Sequence, residues 1–171
     1  MRGRPKGSVI RDRMQEIVAL LGVSYGYEIY KAYTAAFSKI NIRSMYYHLS
    51  KGVELGEFVL AGAKKEQGAY TWGDRTTRMY YVLGPEGKQT ESEELPEVLK
   101  EVGLKHRPLE IFVDWNAVLY ELLARLKQDY KNNAQADLIE IKCHSFLKWF
   151  SNKKVDVSSL RGFLEEIKGK K

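Results

Sequence analysis

The sequence predicts a mainly α-helical protein that contains one small antiparallel β-hairpin. Apolar residues recur every three or four positions in the segments 8–54 and 108–167, which is the spacing of amphipathic helices. The segment 57–83 is instead rich in the β-branched and aromatic residues that favour strands. A length of 171 residues, 44% of them hydrophobic, suits one large domain or two small ones with a packed core.

The first 54 residues predict three short helices with brief connections. Ser8 can cap a first helix that ends near Gly22, and a second helix fits Gly26 to Phe37. Asn41 can cap the third helix, because its side-chain oxygen can accept hydrogen bonds from the amides of the first turn. The apolar stripes expected to be buried are Ile10, Met14, Ile17 and Leu21, then Ile29, Tyr33 and Phe37, then Met45, Leu49 and Val53. Three such helices are typical of a helix-turn-helix core.

A hairpin of basic character is predicted to follow the helices. Strand patterns cover Glu57–Ala63 and Arg78–Leu83, and the connection between them is long for a turn, with room for a short extra strand at 69–72. The basic residues of the hairpin are Lys64, Lys65, Arg75 and Arg78. Three helices followed by a basic two-stranded hairpin predict a winged helix-turn-helix domain over residues 8–87.

The net charge of +6 is distributed unevenly along the chain. Residues 1–83 contain 13 of the 28 Lys and Arg residues and 7 of the 22 Asp and Glu residues, whereas residues 84–171 contain 15 of each. All of the excess positive charge therefore lies in the first half. This distribution indicates a polyanionic partner for the first half and a different role for the second.

The third helix presents a polar, basic and aromatic surface beside its buried stripe. The surface has no acidic residue and consists of Arg43, Ser44, Tyr47, His48 and Lys51, whereas Tyr46 is expected mainly in the core. Taken alone, such a helix is more often an ordinary amphipathic helix with a solvated face. The two helices before it and the basic hairpin after it favour a recognition helix that binds nucleic acid.

The N-terminal tail, residues 1–7, contains the string Arg-Gly-Arg-Pro-Lys-Gly, which resembles the core of an AT-hook. Glycine lets the backbone approach DNA closely and proline keeps it extended, so that Arg2, Arg4 and Lys6 would lie in a narrow A·T-rich minor groove. The alternative is a disordered basic tail that attracts phosphates without sequence preference.

Several motifs between residues 14 and 87 resemble the PadR-type winged-helix transcription regulators. They are Gly26-Tyr27-Glu28-Ile29, Met45-Tyr46 followed by Leu49, Glu54-Leu55-Gly56-Glu57-Phe58, and Arg78-Met79-Tyr80-Tyr81-Val82-Leu83 with Gly87 after it. Two features depart from the family pattern. Gly52 stands where the family usually has a core leucine, which predicts that the third helix ends or bends early, and the hairpin is longer than usual and carries Trp72.

The resemblance implies a sequence-specific regulator that binds double-stranded DNA as a homodimer. The third helix would enter the major groove with its N-terminal end, and Arg43 would pair with the O6 and N7 atoms of guanine. Ser44, Tyr47, His48 and Lys51 would set the register on phosphates or bases, and the basic hairpin residues would follow the backbone or the minor groove. The alternative for this domain is a winged helix that binds another protein.

The second half of the chain is expected to be helical. Residues 88–107 are predicted to be an acidic linker, with a short helix from Leu95 to Val102, and residues 108–171 a dimerisation or regulatory domain. A long helix is predicted from Pro108 to Tyr130, a second from Ala136 to Phe150 and a third after Asp156. These helices fit a self-contained three-helix bundle or a homodimer interface. The stripe predicted to dimerise is Ile111, Trp115, Val118, Leu122 and Leu126.

Cysteine content and hydropathy limit the environment of the protein. The single cysteine, Cys143, excludes an internal disulfide and fits a reducing, cytoplasmic location. No apolar run approaches the ~20 residues that a membrane helix needs, and the N-terminus lacks the apolar core of a secretory signal. The three histidines have no zinc-like spacing with Cys143, so no metal or cofactor is expected.

One string raises an enzymatic alternative. Glu140 and Lys142 have the Glu-x-Lys spacing of a metal-dependent nuclease strand, in which the carboxylate binds Mg²⁺ with help from a second acidic residue such as Asp114. The surrounding residues have helical periodicity, so the protein is not expected to be an enzyme. The aromatic residues Tyr70, Trp72, Trp115 and Trp149 could line a pocket for a small-molecule effector, but such residues are more often part of a core.

Overall fold

The computed structural model describes residues 7–70, 73–90, 92–132 and 134–170, without the side chains of 66–70 and 73–76. The chain divides into two compact units, Met1–Val113 and Asp114–Lys171. The described part of the first unit contains the following elements in order: α1 (Val9–Leu21), β1 (Ser24–Tyr25), α2 (Gly26–Ala36), α3 (Ile42–Glu54), β2 (Phe58–Tyr70), β3 (Gly73–Leu83), α4 (Leu95–Glu101) and α5 (Leu109–Phe112). The first six of these elements, in this order, form a winged helix-turn-helix, as predicted.

The three predicted helices form where local capping chemistry places them. The Ser8 side chain accepts from the amide of Arg11, and Asn41 Oδ1 accepts from the amide of Arg43 at 2.8 Å. Gly22 ends α1 with a φ of 74°, a left-handed conformation that glycine adopts without steric cost. Strong local start and stop signals explain why the sequence predicted these boundaries closely.

The hairpin extends further than the sequence indicated. Residues between the two predicted strands continue the antiparallel ladder, which runs from the pair Phe58–Leu83 to the pair Tyr70–Gly73 with two register shifts. The separate short strand suggested for 69–72 is therefore replaced, at Ala69 and Tyr70, by a continuation of β2. Backbone N–H and C=O groups of β2 form hydrogen bonds with β3. This stabilises the strand independently of its side chains, so the composition of the sequence did not predict its full length. The short strand β1, which the sequence did not predict, pairs with β3 and gives the sheet order β1-β3-β2.

Helix α3 does not end early at Gly52, although the family pattern predicted an early end or a bend there. Gly52 is buried within the helix, which continues to Glu54. A Cβ atom at Gly52 would overlap with the ring of Phe58, the first residue of β2, and that ring is completely buried. The Phe58 ring therefore occupies the space into which a side chain at position 52 would project.

One hydrophobic core holds the first unit together and includes residues from the predicted acidic linker. Leu95 and Leu99 of α4 are buried in it. Lys88 donates its amide to Gln15 Oε1 at 2.8 Å, and the backbone amide of Arg107 donates to Leu21 O, also at 2.8 Å. The described residues of segment 88–107 are thus part of the first unit. The core consists of Met14, Ile17, Val18, Leu21, Ile29, Ala32, Tyr33, Met45, Leu49, Phe58, Leu95 and Leu99.

The second unit contains α6 (Trp115–Lys131), α7 (Ala136–Phe150) and α8 (Ser158–Gly169). The single helix predicted from Pro108 is wrong, because the chain leaves the helical path between Phe112 and Trp115. Asp114 Oδ1 accepts from the amides of Asn116 and Ala117 at 3.1 Å each, which makes Asp114 the N-cap of a new helix. No helix in the described ranges is long and apolar enough to cross a membrane.

Two residues of the predicted dimerisation stripe are buried and therefore present little surface to a partner. Val118 and Leu126 are each only 3% exposed. Trp115 and Leu122 are half-buried, and Ile111 is exposed on α5. The thiol of Cys143 is also buried, and burial together with the charge of Glu140 raises its pKa to about 11, so it remains protonated at neutral pH.

Candidate nucleic-acid interface

The exposed surface of α3 contains the residues predicted for DNA recognition. Arg43 and Tyr47 are exposed and lie one helical turn apart on the same face. Ser44, His48 and Lys51 are half-buried along the neighbouring face. The cap at Asn41 fixes the backbone amide of Arg43, so the first turn of α3 is held in place while the Arg43 guanidinium extends into solvent.

Lys51 contributes less free positive charge than the sequence suggested. Its Nζ atom forms an ion pair with Glu54 Oε2 at 2.8 Å, and both side chains are substantially exposed. The pair neutralises much of the local field around the C-terminal end of α3. The strongest positive charge of this helix surface therefore lies at its N-terminal end, at Arg43.

Tyr46 differs from its predicted position in the core. Its side chain is 43% exposed, yet one side of the ring is held by the backbone of α2. A Cβ atom at Gly26 would lie 2.5 Å from Tyr46 Cε1, so only glycine allows the ring this close. Partial burial raises the pKa of the Tyr46 hydroxyl, which stays protonated at neutral pH. Tyr46 therefore presents a fixed, uncharged ring edge at the surface of α3.

His48 is uncharged at neutral pH. Its pKa is lowered by burial and by the positive charge of Arg11. The His48 Nδ1 atom is buried and has no hydrogen-bond partner among the residues that the structure describes. Arg11 itself is paired with Glu57 at 2.7 Å, which ties α1 to the residue before β2. His48 is thus a neutral, half-buried residue of this surface.

The basic hairpin residues divide into exposed and packed groups. Lys64 and Lys65 are exposed on β2, where their side chains point to opposite faces of the strand. Arg78 is half-buried, and its guanidinium lies 4.4 Å from the centre of the Tyr25 ring, so it fastens β3 to β1. The Arg75 side chain and the tail residues Arg2, Arg4 and Lys6 lie outside the described residues.

Comparisons with known proteins do not assign this chain to a family. The sequence matches no protein-family model and no curated protein. Among solved structures it is similar to Bacillus subtilis PadR in complex with operator DNA, with a TM-score of 0.33 and 13% identity over 95% of this chain and 93% of that one. A likeness at this level carries no argument about function. The winged helix-turn-helix is established by the order and pairing of the chain's own helices and strands.

The second unit does not support the nuclease alternative. The Glu-x-Lys string lies on helix α7, where successive side chains point around the helix instead of alternating across a strand. Glu140 lies 3.9 Å from His144, and Lys142 lies 3.8 Å from Asp129. Across the described ranges, no group of three or more His, Cys, Asp or Glu side chains is arranged to hold a metal ion.

The tryptophans suggested for an effector pocket are packed together. The rings of Trp115 and Trp149 meet edge to face with centres 5.5 Å apart. Lys153 Nζ lies 4.9 Å and 4.2 Å from the two ring centres, so a cation from this chain occupies the aromatic corner. The side chains of Tyr70 and Trp72 lie outside the described residues. The two tryptophan rings thus contact each other and Lys153 within the helical unit.

Two apolar residues of α7, outside the predicted dimerisation stripe, are exposed to solvent. Leu138 and Ile141 lie on one side of the helix and are exposed, whereas Ile139, Cys143 and Phe150 are buried. A signal was present, because a helix that is apolar on more than one side needs more than one partner surface. These two residues are better placed than Val118 or Leu126 to contact another molecule.

Proposed function

We propose that this protein is a sequence-specific transcription regulator that binds double-stranded DNA through its winged helix-turn-helix domain. The observation that carries the proposal is the exposed Arg43 on the first turn of α3, in a domain whose hairpin displays Lys64 and Lys65. A helix of this kind fits the major groove, and exposed lysines on a hairpin suit the phosphate backbone.

In this proposal the interface residues have separate roles. Arg43 pairs with O6 and N7 of a guanine, because its fork matches those two acceptors. Ser44, Tyr47 and His48 donate to phosphates or base edges and set the register of α3. Lys64, Lys65 and Arg75 neutralise phosphates, and the tail residues Arg2, Arg4 and Lys6 add attraction to the backbone or the minor groove. Lys51 and Arg78 have a smaller part in DNA binding, because Lys51 pairs with Glu54 and Arg78 packs on the Tyr25 ring.

The test is the triple variant Arg43→Ala, Lys64→Ala, Lys65→Ala. Its affinity for a duplex selected by the unmodified protein from a randomised pool should fall by about 100-fold. The slope of log affinity against log salt should decrease by about 2 to 3, because up to three phosphate or base contacts are lost. Fluorescence anisotropy between about 50 and 200 mM KCl measures both quantities.

A matched control tests whether the loss of any three positive charges, and not of these three in particular, weakens DNA binding. The variant Arg125→Ala, Lys131→Ala, Lys148→Ala removes three exposed positive charges from the helical unit and should keep most of the affinity. If the interface triple variant instead binds the selected duplex like the unmodified protein, with the same salt slope, then this surface does not bind DNA. A role in protein binding would then become the better interpretation of the winged helix.

We further propose that the helical unit mediates homodimerisation. The support is the exposed apolar pair Leu138 and Ile141 on α7, together with the two-fold symmetry that paired DNA half-sites require. Ile141, which is 64% exposed, is the best single residue to test. The variant Ile141→Glu should shift the protein from dimer to monomer in sedimentation equilibrium, with at least a 10-fold weaker dimer.

The control for this variant is Ala124→Glu, which introduces the same charge at an exposed position of α6. It should leave the dimer intact. An unmodified protein that sediments as a monomer at all concentrations, or an Ile141→Glu variant that dimerises normally, would rule out this use of α7.

A further inference from the structure

We propose that Ile42, with the ring edge of Tyr46 beside it, binds the 5-methyl group of a thymine that flanks the guanine read by Arg43. The inference rests on the proposed function and adds a specificity-determining contact to it. Ile42 is the first residue of α3 and is 41% exposed. An exposed isoleucine at the N-terminal end of the helix proposed to enter the major groove can contact an apolar group of a base there.

The two side chains form one small apolar surface. Ile42 and Tyr46 are four residues apart and therefore share a face of α3, next to the face that carries Arg43. Both are exposed to a similar degree. Between Ile42 and Val53 the helix has no acidic residue, so nothing on this surface repels a polyanion. The surface is thus apolar at its centre and basic at its edge.

The backbone of the first turn of α3 and the Tyr46 ring are positioned by contacts within the domain. Asn41 caps the turn on which Ile42 lies, accepting from the Arg43 amide at 2.8 Å. The Tyr46 ring rests against Gly26, where even a methyl group would displace it. A contact between fixed groups loses little conformational entropy on binding, so a small apolar area can still discriminate between bases.

The chemistry of the major groove determines the occupant. Among the four base pairs, the thymine 5-methyl group is the apolar feature that the major groove displays, and isoleucine and an aromatic edge are suitable partners for it. A protein partner would need an interface of about 800 Å² on each side, far more than one isoleucine and one ring edge supply. A thymine next to a guanine would offer an apolar group and two acceptors to the first turn of α3, where Ile42 and Arg43 are adjacent.

The experiment replaces single thymines by uracil in the duplex selected from the randomised pool. Uracil keeps the base pair and the O4 acceptor and removes only the methyl group. For the unmodified protein, one uracil substitution beside a guanine should weaken binding by about 4-fold, the expected effect of losing one buried methyl group. For Ile42→Ala, binding to the thymine duplex should already be weaker by a similar factor, and the same uracil substitution should have no further effect.

Control variants distinguish loss of the methyl contact from loss of DNA binding as a whole. Val9→Ala shortens an exposed β-branched residue outside α3 to the same product and should retain the uracil penalty. Circular dichroism should show that Ile42→Ala folds normally, because Ile42 is not part of the core. If the unmodified protein binds the duplex and no thymine is sensitive, or if Ile42→Ala keeps the full uracil penalty, the methyl contact is overturned while DNA binding stands. If the unmodified protein binds no duplex, both proposals fail.

Discussion

Gly52→Leu is expected to lower the free energy of unfolding by about 3 kcal/mol, the upper part of the range for overpacking a dense core. A leucine is the better helix former, by about 1 kcal/mol over glycine. That gain is outweighed because its Cβ alone would overlap with the Phe58 ring, which is completely buried and has no free space to enter. Urea denaturation followed by far-UV circular dichroism measures the change.

A compensating variant tests the cause of this effect. Phe58→Ala alone should cost about 3 to 5 kcal/mol, because it leaves a cavity beneath α3. Combined with Gly52→Leu, the leucine can enter that cavity, so the double variant should be more stable than the sum of the single effects by about 2 kcal/mol. Additive single effects would show that the two positions do not compete for the same space.

The control for the difference in helix propensity between glycine and leucine is Gly162→Leu in helix α8. Apart from the adjacent residues and the backbone of α8 itself, no atom of the residues that the structure describes lies within 4 Å of a Cβ placed at Gly162. Leucine should therefore be tolerated there and stabilise the helix by up to about 1 kcal/mol. A Gly52→Leu variant that is as stable as the unmodified protein would contradict the packing described for α3 and β2.

Arg107→Met is expected to destabilise the first unit by about 3 kcal/mol. The Arg107 guanidinium donates to both carboxylate oxygens of Glu28 at 2.6 Å and to Val23 O at 3.2 Å. Glu28 is only 6% exposed, so methionine would leave its carboxylate buried without a cation. Breaking a buried pair in this way is far more costly than losing a surface pair, because the remaining charge stays desolvated. Thermal and urea denaturation measure the loss.

Two further variants make the Arg107 prediction specific. Arg107→Met with Glu28→Gln should recover at least half of the loss, because no buried charge remains while the side chain at 28 can still accept from the Tyr25 amide. Lys170→Met breaks the exposed pair with Glu166, whose separation is 2.7 Å, and should cost less than 1 kcal/mol, as is usual for surface pairs. Equal effects for Arg107→Met and Lys170→Met would refute the structural role assigned to Arg107.

The Arg107 pair also bears on the interface, because Glu28 lies near the start of α2. The same first turn contains Gly26, against which the Tyr46 ring rests. Loosening α2 would therefore release Tyr46 and the apolar surface that it forms with Ile42. In the proposed DNA complex, Arg107→Met should therefore also weaken discrimination between duplexes under conditions in which the domain remains folded.

The sequence by itself determined the helices whose ends depend on local chemistry. Ser8, Gly22 and Asn41 fixed the boundaries of α1 and the start of α3, because capping involves atoms only a few residues apart. The period of apolar residues identified most of the buried face of α1 and α3, including Met14, Met45 and Leu49. The concentration of positive charge in the first half, with Arg43 and the hairpin lysines exposed, was also readable from the order of the residues.

Only the tertiary structure decided features that depend on residues distant in sequence. The burial of Gly52 follows from Phe58, which arrives on another element, and the position of Tyr46 follows from Gly26. Leu95 and Leu99 were predicted to belong to an acidic linker, yet they are part of the core of the first unit. Likewise, periodicity showed that α6 and α7 have apolar faces but not which residues face inward, since that depends on the neighbouring helix. Packing therefore buried Val118 and Leu126 and left Leu138 and Ile141 exposed.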